Sequence, residues 1–261
     1  MKGEKMNHKI VTERAAFFRK VSRAQISGRW IQLAIATAIF MIILSIVDVI
    51  LTLIMPDSEI GMGISAIYAM CIYGPATVGF ASYALAVVRE YEPSPTLAFS
   101  GFERALRNFS LGFQMWIRIL LWTVLFIIPG IVAAYRYSMA PYICIDRPDL
   151  SPGQCIEESK RLMQGNKGRL FCVQFSFIGW ILLASIPASL VDTFSADLGA
   201  FSPSPVMASI DINTGALTTN ATPLSVAVSA ILFIPMLFVL GYIETATAVF
   251  YEEVREPVFQ Y

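Results

Sequence analysis

The chain has 261 residues, of which 56% are hydrophobic and only 15% charged, with a mean hydropathy of +0.63 and a formal net charge of zero. Soluble domains average about 25% charged residues, so this composition excludes an ordinary water-exposed globular surface and directs attention to the bilayer. A balanced charge gives no reason to expect a nucleic-acid partner.

The first segment, residues 1–29, is basic. It holds Lys2, Lys5, Lys9, Arg14, Arg19, Lys20, Arg23 and Arg29 against Glu4 and Glu13. A cleaved signal peptide is not expected, because the basic region is too long and the next apolar run far exceeds an h-region of roughly 7–15 residues. Phe17, Val21 and Ala24 form a weak apolar stripe within it.

Residues 30–55, WIQLAIATAIFMIILSIVDVILTLIM, contain Asp48 as their only ionised group. A membrane-spanning helix needs about 20 apolar residues, and this run suffices. Further apolar runs cover residues 62–88, 111–128, 130–145, 170–191 and 224–249. In the second of the six, Gly74, Pro75, Ala76, Gly79, Ala81 and Ser82 crowd together, which suits close helix packing.

Cationic loops are retained on the cytoplasmic side of a membrane. The loop 89–110 carries Arg89, Arg104 and Arg107, and the loop 146–169 carries Arg147, Lys160, Arg161, Lys167 and Arg169. Both belong inside, so the chain between them must cross an even number of times. A hairpin turning at Pro129 and Gly130 satisfies this. Its arms rise only about 24–27 Å, a little under a 30 Å core, so a re-entrant pair is the alternative.

The external loop 192–222 has no Lys or Arg, and the tail 251–261 returns to the cytoplasm. The expected fold is all-α, a transmembrane helical bundle of about six spans arranged as three hairpins. The spans 30–250 form one domain, with both termini cytoplasmic.

Ser94-Pro95 and Ser151-Pro152 each supply a hydroxyl cap followed by proline at the first turn. Amphipathic helices are expected after both, ending near Gly112 and Gly165, and a weaker one over residues 12–28. Each of the three hairpins would thus be preceded by a short cytoplasmic helix, lying against anionic headgroups or capping the bundle.

Chemistry is sparse. His8 is the only histidine, and Cys71, Cys144, Cys155 and Cys172 show no paired spacing, so neither a metal site nor a disulfide framework is expected. Ser159 and Lys160 are neighbours on a helix and cannot face each other. No hydrolase, metalloprotease or P-loop pattern occurs, so no cofactor and no enzymatic activity are expected.

What remains is Asp48, Arg118, Arg136 and Glu244 at membrane depth. Each costs about 2.5–3.5 kcal/mol there unless it meets a partner or water. Depth matching suggests Arg118 with Glu244 and Arg136 with Asp48, either as register-fixing pairs or along a solute path.

The blocks PGI with AYRYSMAPYI (residues 129–143), SKRLMQGNK (159–167) and FSFIGW (175–180) resemble a bacterial integral membrane family known as domain of unknown function 975; GYIETATAVFYEEV (241–254) is a C-terminal echo. The resemblance implies a multi-pass protein of the bacterial cytoplasmic membrane and supplies no reaction, ligand or catalytic residue. The leading expectation is a non-catalytic membrane protein assisting export, envelope maintenance or membrane defence through contacts with lipid or another membrane protein. A small-solute or ion transporter using the buried charges is the alternative. An intramembrane lipid-modifying enzyme ranks third, for want of a nucleophile–base pair.

Overall fold

The computed structural model describes residues 10–54, 59–89, 94–186, 209–210, 217–218 and 232–255. Helices run in the order α1 (Ala15–Ile26), α2 (Trp30–Ile54), α3 (Glu59–Val88), a 3-10 helix (Pro95–Phe102), α4 (Ala105–Leu125), α5 (Ile127–Tyr137), α6 (Ala140–Asp146), α7 (Pro152–Leu162), α8 (Lys167–Phe175), α9 (178–186) and α10 (Ile234–Val254). Between α9 and α10, a two-residue strand β1 (Ser209–Ile210) pairs antiparallel with β2 (Leu217–Thr218). The rest of loop 192–222, His8 and residues 256–261 lie outside the described residues.

Four stretches among the described residues are long and apolar enough to cross a membrane: α2, α3, α8 continuing into α9, and α10. The segments expected as spans 111–128 and 130–145 are not among them. α4 carries Arg107 and Arg118. α5 has 11 residues, a rise of about 16 Å at 1.5 Å per residue, and the backbone breaks again at Ser138–Met139 before α6.

The chain does double back here, but at Phe126, not at Pro129-Gly130. Phe126 is extended (φ −159°, ψ 142°) between two helices. Pro129 lies inside the first turn of α5, where its missing N–H is one of the donors that a helix start leaves unsatisfied anyway. Gly130 lets the arms close up, since a methyl group on it would overlap Thr123 of α4.

Capping chemistry fixes the helix starts. Ser151 Oγ accepts from Gln154 N while Gln154 Oε1 accepts from Ser151 N at 2.8 Å, a reciprocal capping box opening α7. Gly165 adopts φ +79° just beyond its end, as a left-handed turn requires. After Ser94 the outcome differs. The segment forms a 3-10 helix that stops at Phe102, and α4 starts afresh at Ala105 and runs straight through Gly112.

Gly112 instead marks a close approach. A Cβ there would meet the Gly74 Cα of α3, and one on Gly74 would overlap the Asn108 carbonyl. Gly79 of α3 and Gly101 of the 3-10 helix repeat the contact one step along. The small residues of α3 are therefore packing surfaces, with Asn108 Nδ2 donating to Gly101 O at 2.5 Å between them.

Burial divides the molecule in two. One end is a closed base. Its core draws Phe18 from α1, the second half of α3, Tyr142 and Ile143 from α6, Cys155 and Ile156 from α7, Leu170 from α8, and Phe250 and Tyr251 from α10. Away from it, apolar side chains are exposed, among them Ile42, Ile46, Ile50 and Ile54 on α2 and Ile60, Ile64 and Ile67 on α3. Water would penalise such a surface; hydrocarbon would not.

Candidate functional site

The polar groups of the base form one connected chain. Glu244, partly buried on α10, accepts a hydrogen bond from Tyr142 Oη of α6. The Tyr142 ring stacks on Tyr251 of α10, centroids 5.2 Å apart and planes 21° apart. Tyr251 Oη donates to Asp146 Oδ2 at 2.9 Å. Asp146, at the end of α6, also receives Arg89 Nη2 at 2.9 Å and Arg255 Nη1. Glu252 closes the ring, 2.7 Å from Arg89 and 3.3 Å from Arg255.

Two guanidinium groups and two carboxylates thus neutralise one another where α3, α6 and α10 end together. Burial alone would lower the pKa of Arg89, but Asp146 and Glu252 outweigh it and raise the pKa above its ordinary value. The ring is a clamp: each ion has a partner on another helix, apart from the local Arg255–Glu252 contact.

Neither depth-matched pair forms. Glu244 has Tyr142 instead of Arg118, because α6 brings a phenol to that carboxylate. Arg118 Nη1 is buried without a hydrogen-bond partner among the described residues. Arg136 does not pair with Asp48, since α5 packs on α4, α7 and α8 while α2 packs on α3 and α10. It borders a hollow of about 280 Å³ with Trp122, Ile128, Pro129, Val132 and Ala133, all from the hairpin itself.

Ser159 has a structural duty. Its Oγ donates to Arg136 O at 3.0 Å and accepts from Met139 N at 3.2 Å, satisfying groups freed where α5 breaks from α6. Lys160 turns away to Glu157, 2.5 Å distant. Arg107 of α4 caps the end of α6 and the turn after it, donating to Cys144 O, Arg147 O and Leu150 O. The one contact that cysteine spacing gave no hint of is Cys144 with Cys155, their Sγ atoms 2.6 Å apart inside the base. No group of three or more His, Cys, Asp or Glu suited to a metal occurs among the described residues.

Sequence reasoning missed the clamp because its members lie just past the apolar runs, where charges are ordinary. A signal existed: the AYRYSMAPYI block runs directly on to Asp146, and the C-terminal echo contains Tyr251 and Glu252.

The family model described as Protein of unknown function (DUF975) matches residues 109–257. This chain belongs to that family. The DUF975 match contains Tyr142, Asp146, Glu244, Tyr251, Glu252 and Arg255, and leaves only Arg89 of the polar chain outside it. No curated protein and no solved structure matches the chain.

Proposed function

We propose that this DUF975 protein is a non-catalytic, multi-pass protein of the bacterial cytoplasmic membrane, assisting export, envelope maintenance or membrane defence through lipid or protein contacts. In this reading α2, α3, α8–α9 and α10 cross the bilayer four times. The α4–α5 hairpin is re-entrant, entering from the cytoplasmic face and returning to it. Four crossings and a re-entrant loop keep both termini and both cationic loops in the cytosol, as six crossings would. The fully apolar hairpin tip supports this, with Leu125 61%, Phe126 66%, Ile127 73% and Ile128 75% exposed. Exposed Phe17 on α1 and Phe99 on the 3-10 helix suit contact with the headgroup layer.

The observation that carries the scaffold reading is the closed base. Phe18, Tyr142, Tyr251, Phe250, Met139 and Ile143 are all buried to within 2% exposure across the basic end of the bundle. A solute path would have to exit through them. The hollow at Arg136 favours transport less, because residues of α4 and α5 alone line it.

Stopped-flow light scattering on proteoliposomes tests the reading. Shrinkage in sorbitol and in potassium chloride should match empty liposomes. Faster shrinkage that Glu244→Gln abolishes would establish the transport reading instead.

A further inference from the structure

A cleft of about 820 Å³ opens where α1 crosses the near ends of α2, α9 and α10. One wall is cationic, formed by Arg19, Lys20 and Arg23 of α1. The facing wall is aromatic, built by Trp30 of α2, Trp180 of α9 and Phe238 of α10.

The two walls are held in register by contacts outside the polar chain of the base. Tyr242 Oη donates to Arg19 O at 2.7 Å, and Arg19 Nη1 donates to Ser176 O at 3.1 Å where α8 gives way to α9. Trp30 meets Tyr242 edge-on at 5.8 Å and tilts against Phe238 at 6.5 Å. α1 contains no acidic residue. Among the described residues no ion pair involves Arg19, Lys20 or Arg23, and Lys20 and Arg23 are exposed.

Two requirements meet in this cleft. Trp and Tyr favour the boundary between headgroups and hydrocarbon, so Trp30, Trp180 and Tyr242 together mark that level on the bundle. The cations of α1 then stand at phosphate depth, and the Trp180–Phe238 wall runs toward the acyl region. A soluble anion would leave the aromatic wall wet. A neutral apolar molecule would leave three cations without a counter-charge. An amphiphile with an anionic head satisfies both walls, and charge-assisted contacts to phosphate oxygens are among the stronger hydrogen bonds.

We propose that this cleft binds one anionic phospholipid, its phosphodiester against Lys20 and Arg23 and an acyl chain along Trp180 and Phe238. The proposal rests on the reading of α1 as lying at the cytoplasmic membrane surface, and it adds a discrete, occupied site to that general affinity.

The test is native mass spectrometry of the full chain released from nanodiscs of equal parts phosphatidylcholine and phosphatidylglycerol. One phosphatidylglycerol should be retained in clear preference. Each cation near an anionic headgroup contributes enough for about a fivefold preference, so K20Q/R23Q should lose about five- to thirtyfold. Arg19 is kept in that variant because it ties α1 to Ser176, and size-exclusion profiles check that the fold persists. The control R104Q/R169Q removes the same charge from exposed sites elsewhere and should retain the lipid. Trp180→Ala should weaken retention with no change in charge.

Equal loss in both charge variants would overturn the proposal, as general surface attraction would then suffice. So would no preference over phosphatidylcholine, or an unaffected Trp180→Ala. Displacement by millimolar glycerol 3-phosphate would make the site one for a free phosphate ester and overturn the lipid assignment. Solute flux in proteoliposomes would contradict the scaffold reading while leaving lipid retention intact, so the two failures are distinguishable.

Discussion

Asp146 shows how one carboxylate can organise a membrane protein. It takes Arg89 from α3 and both Arg255 and Tyr251 from α10, and its side chain is only 12% exposed. Such a group stabilises when its partners are present and leaves uncompensated charges when it is removed. Asp146→Asn should lower stability in detergent by about 1.5–3 kcal/mol, the range for hydrogen bonds to charged groups. A double-mutant cycle with Arg255→Gln should show coupling, since residues in one ionic network are not additive. Additive effects would mean that the ring is a set of independent surface charges. Residue-level pairing was the least legible part of the sequence. Depth alone matched Arg136 to Asp48, but depth says nothing of azimuth, and α5 and α2 pack on different helices.

At the scale of elements, apolar runs and capping residues were legible and close contacts were not. The runs over residues 30–55 and 62–88 became α2 and α3, and the Ser151-Pro152 signal became a full capping box. A turn was expected at Pro129-Gly130, whereas the extended residue between α4 and α5 is Phe126. Pro-Gly reads as a corner, yet proline is tolerated in a first helical turn and the glycine serves the contact with Thr123. Gly112, read as a helix end, is a contact with Gly74 that only the folded chain reveals. Gly112→Ala should therefore destabilise by about 1–3 kcal/mol through overpacking, measured as a lower melting temperature in detergent. Gly168→Ala on α8, where a methyl group meets open space, should hold or slightly raise it. A stable Gly112→Ala protein would contradict the close α3–α4 approach.

The whole molecule combines a closed, charge-clamped base with helix segments whose apolar surface is unfit for water. Its class was legible in composition, because a chain with this little charge and four long apolar helices has few places to be other than a bilayer. The division into base and outer halves was not legible, since a core built from the ends of α1, α3, α6, α7, α8 and α10 leaves no single run in the sequence. In the proposed orientation the base faces the cytosol and the tip at Phe126 is buried in lipid.

Membrane-impermeant maleimide labelling of cysteines placed at Lys167 and at Phe126 tests that orientation most directly, with Cys71 and Cys172 replaced by serine. The account predicts that position 167 reacts only after the cytosolic face is opened, and that position 126 reacts from neither side. Labelling of position 167 in intact cells, or of position 126 from outside, would contradict it.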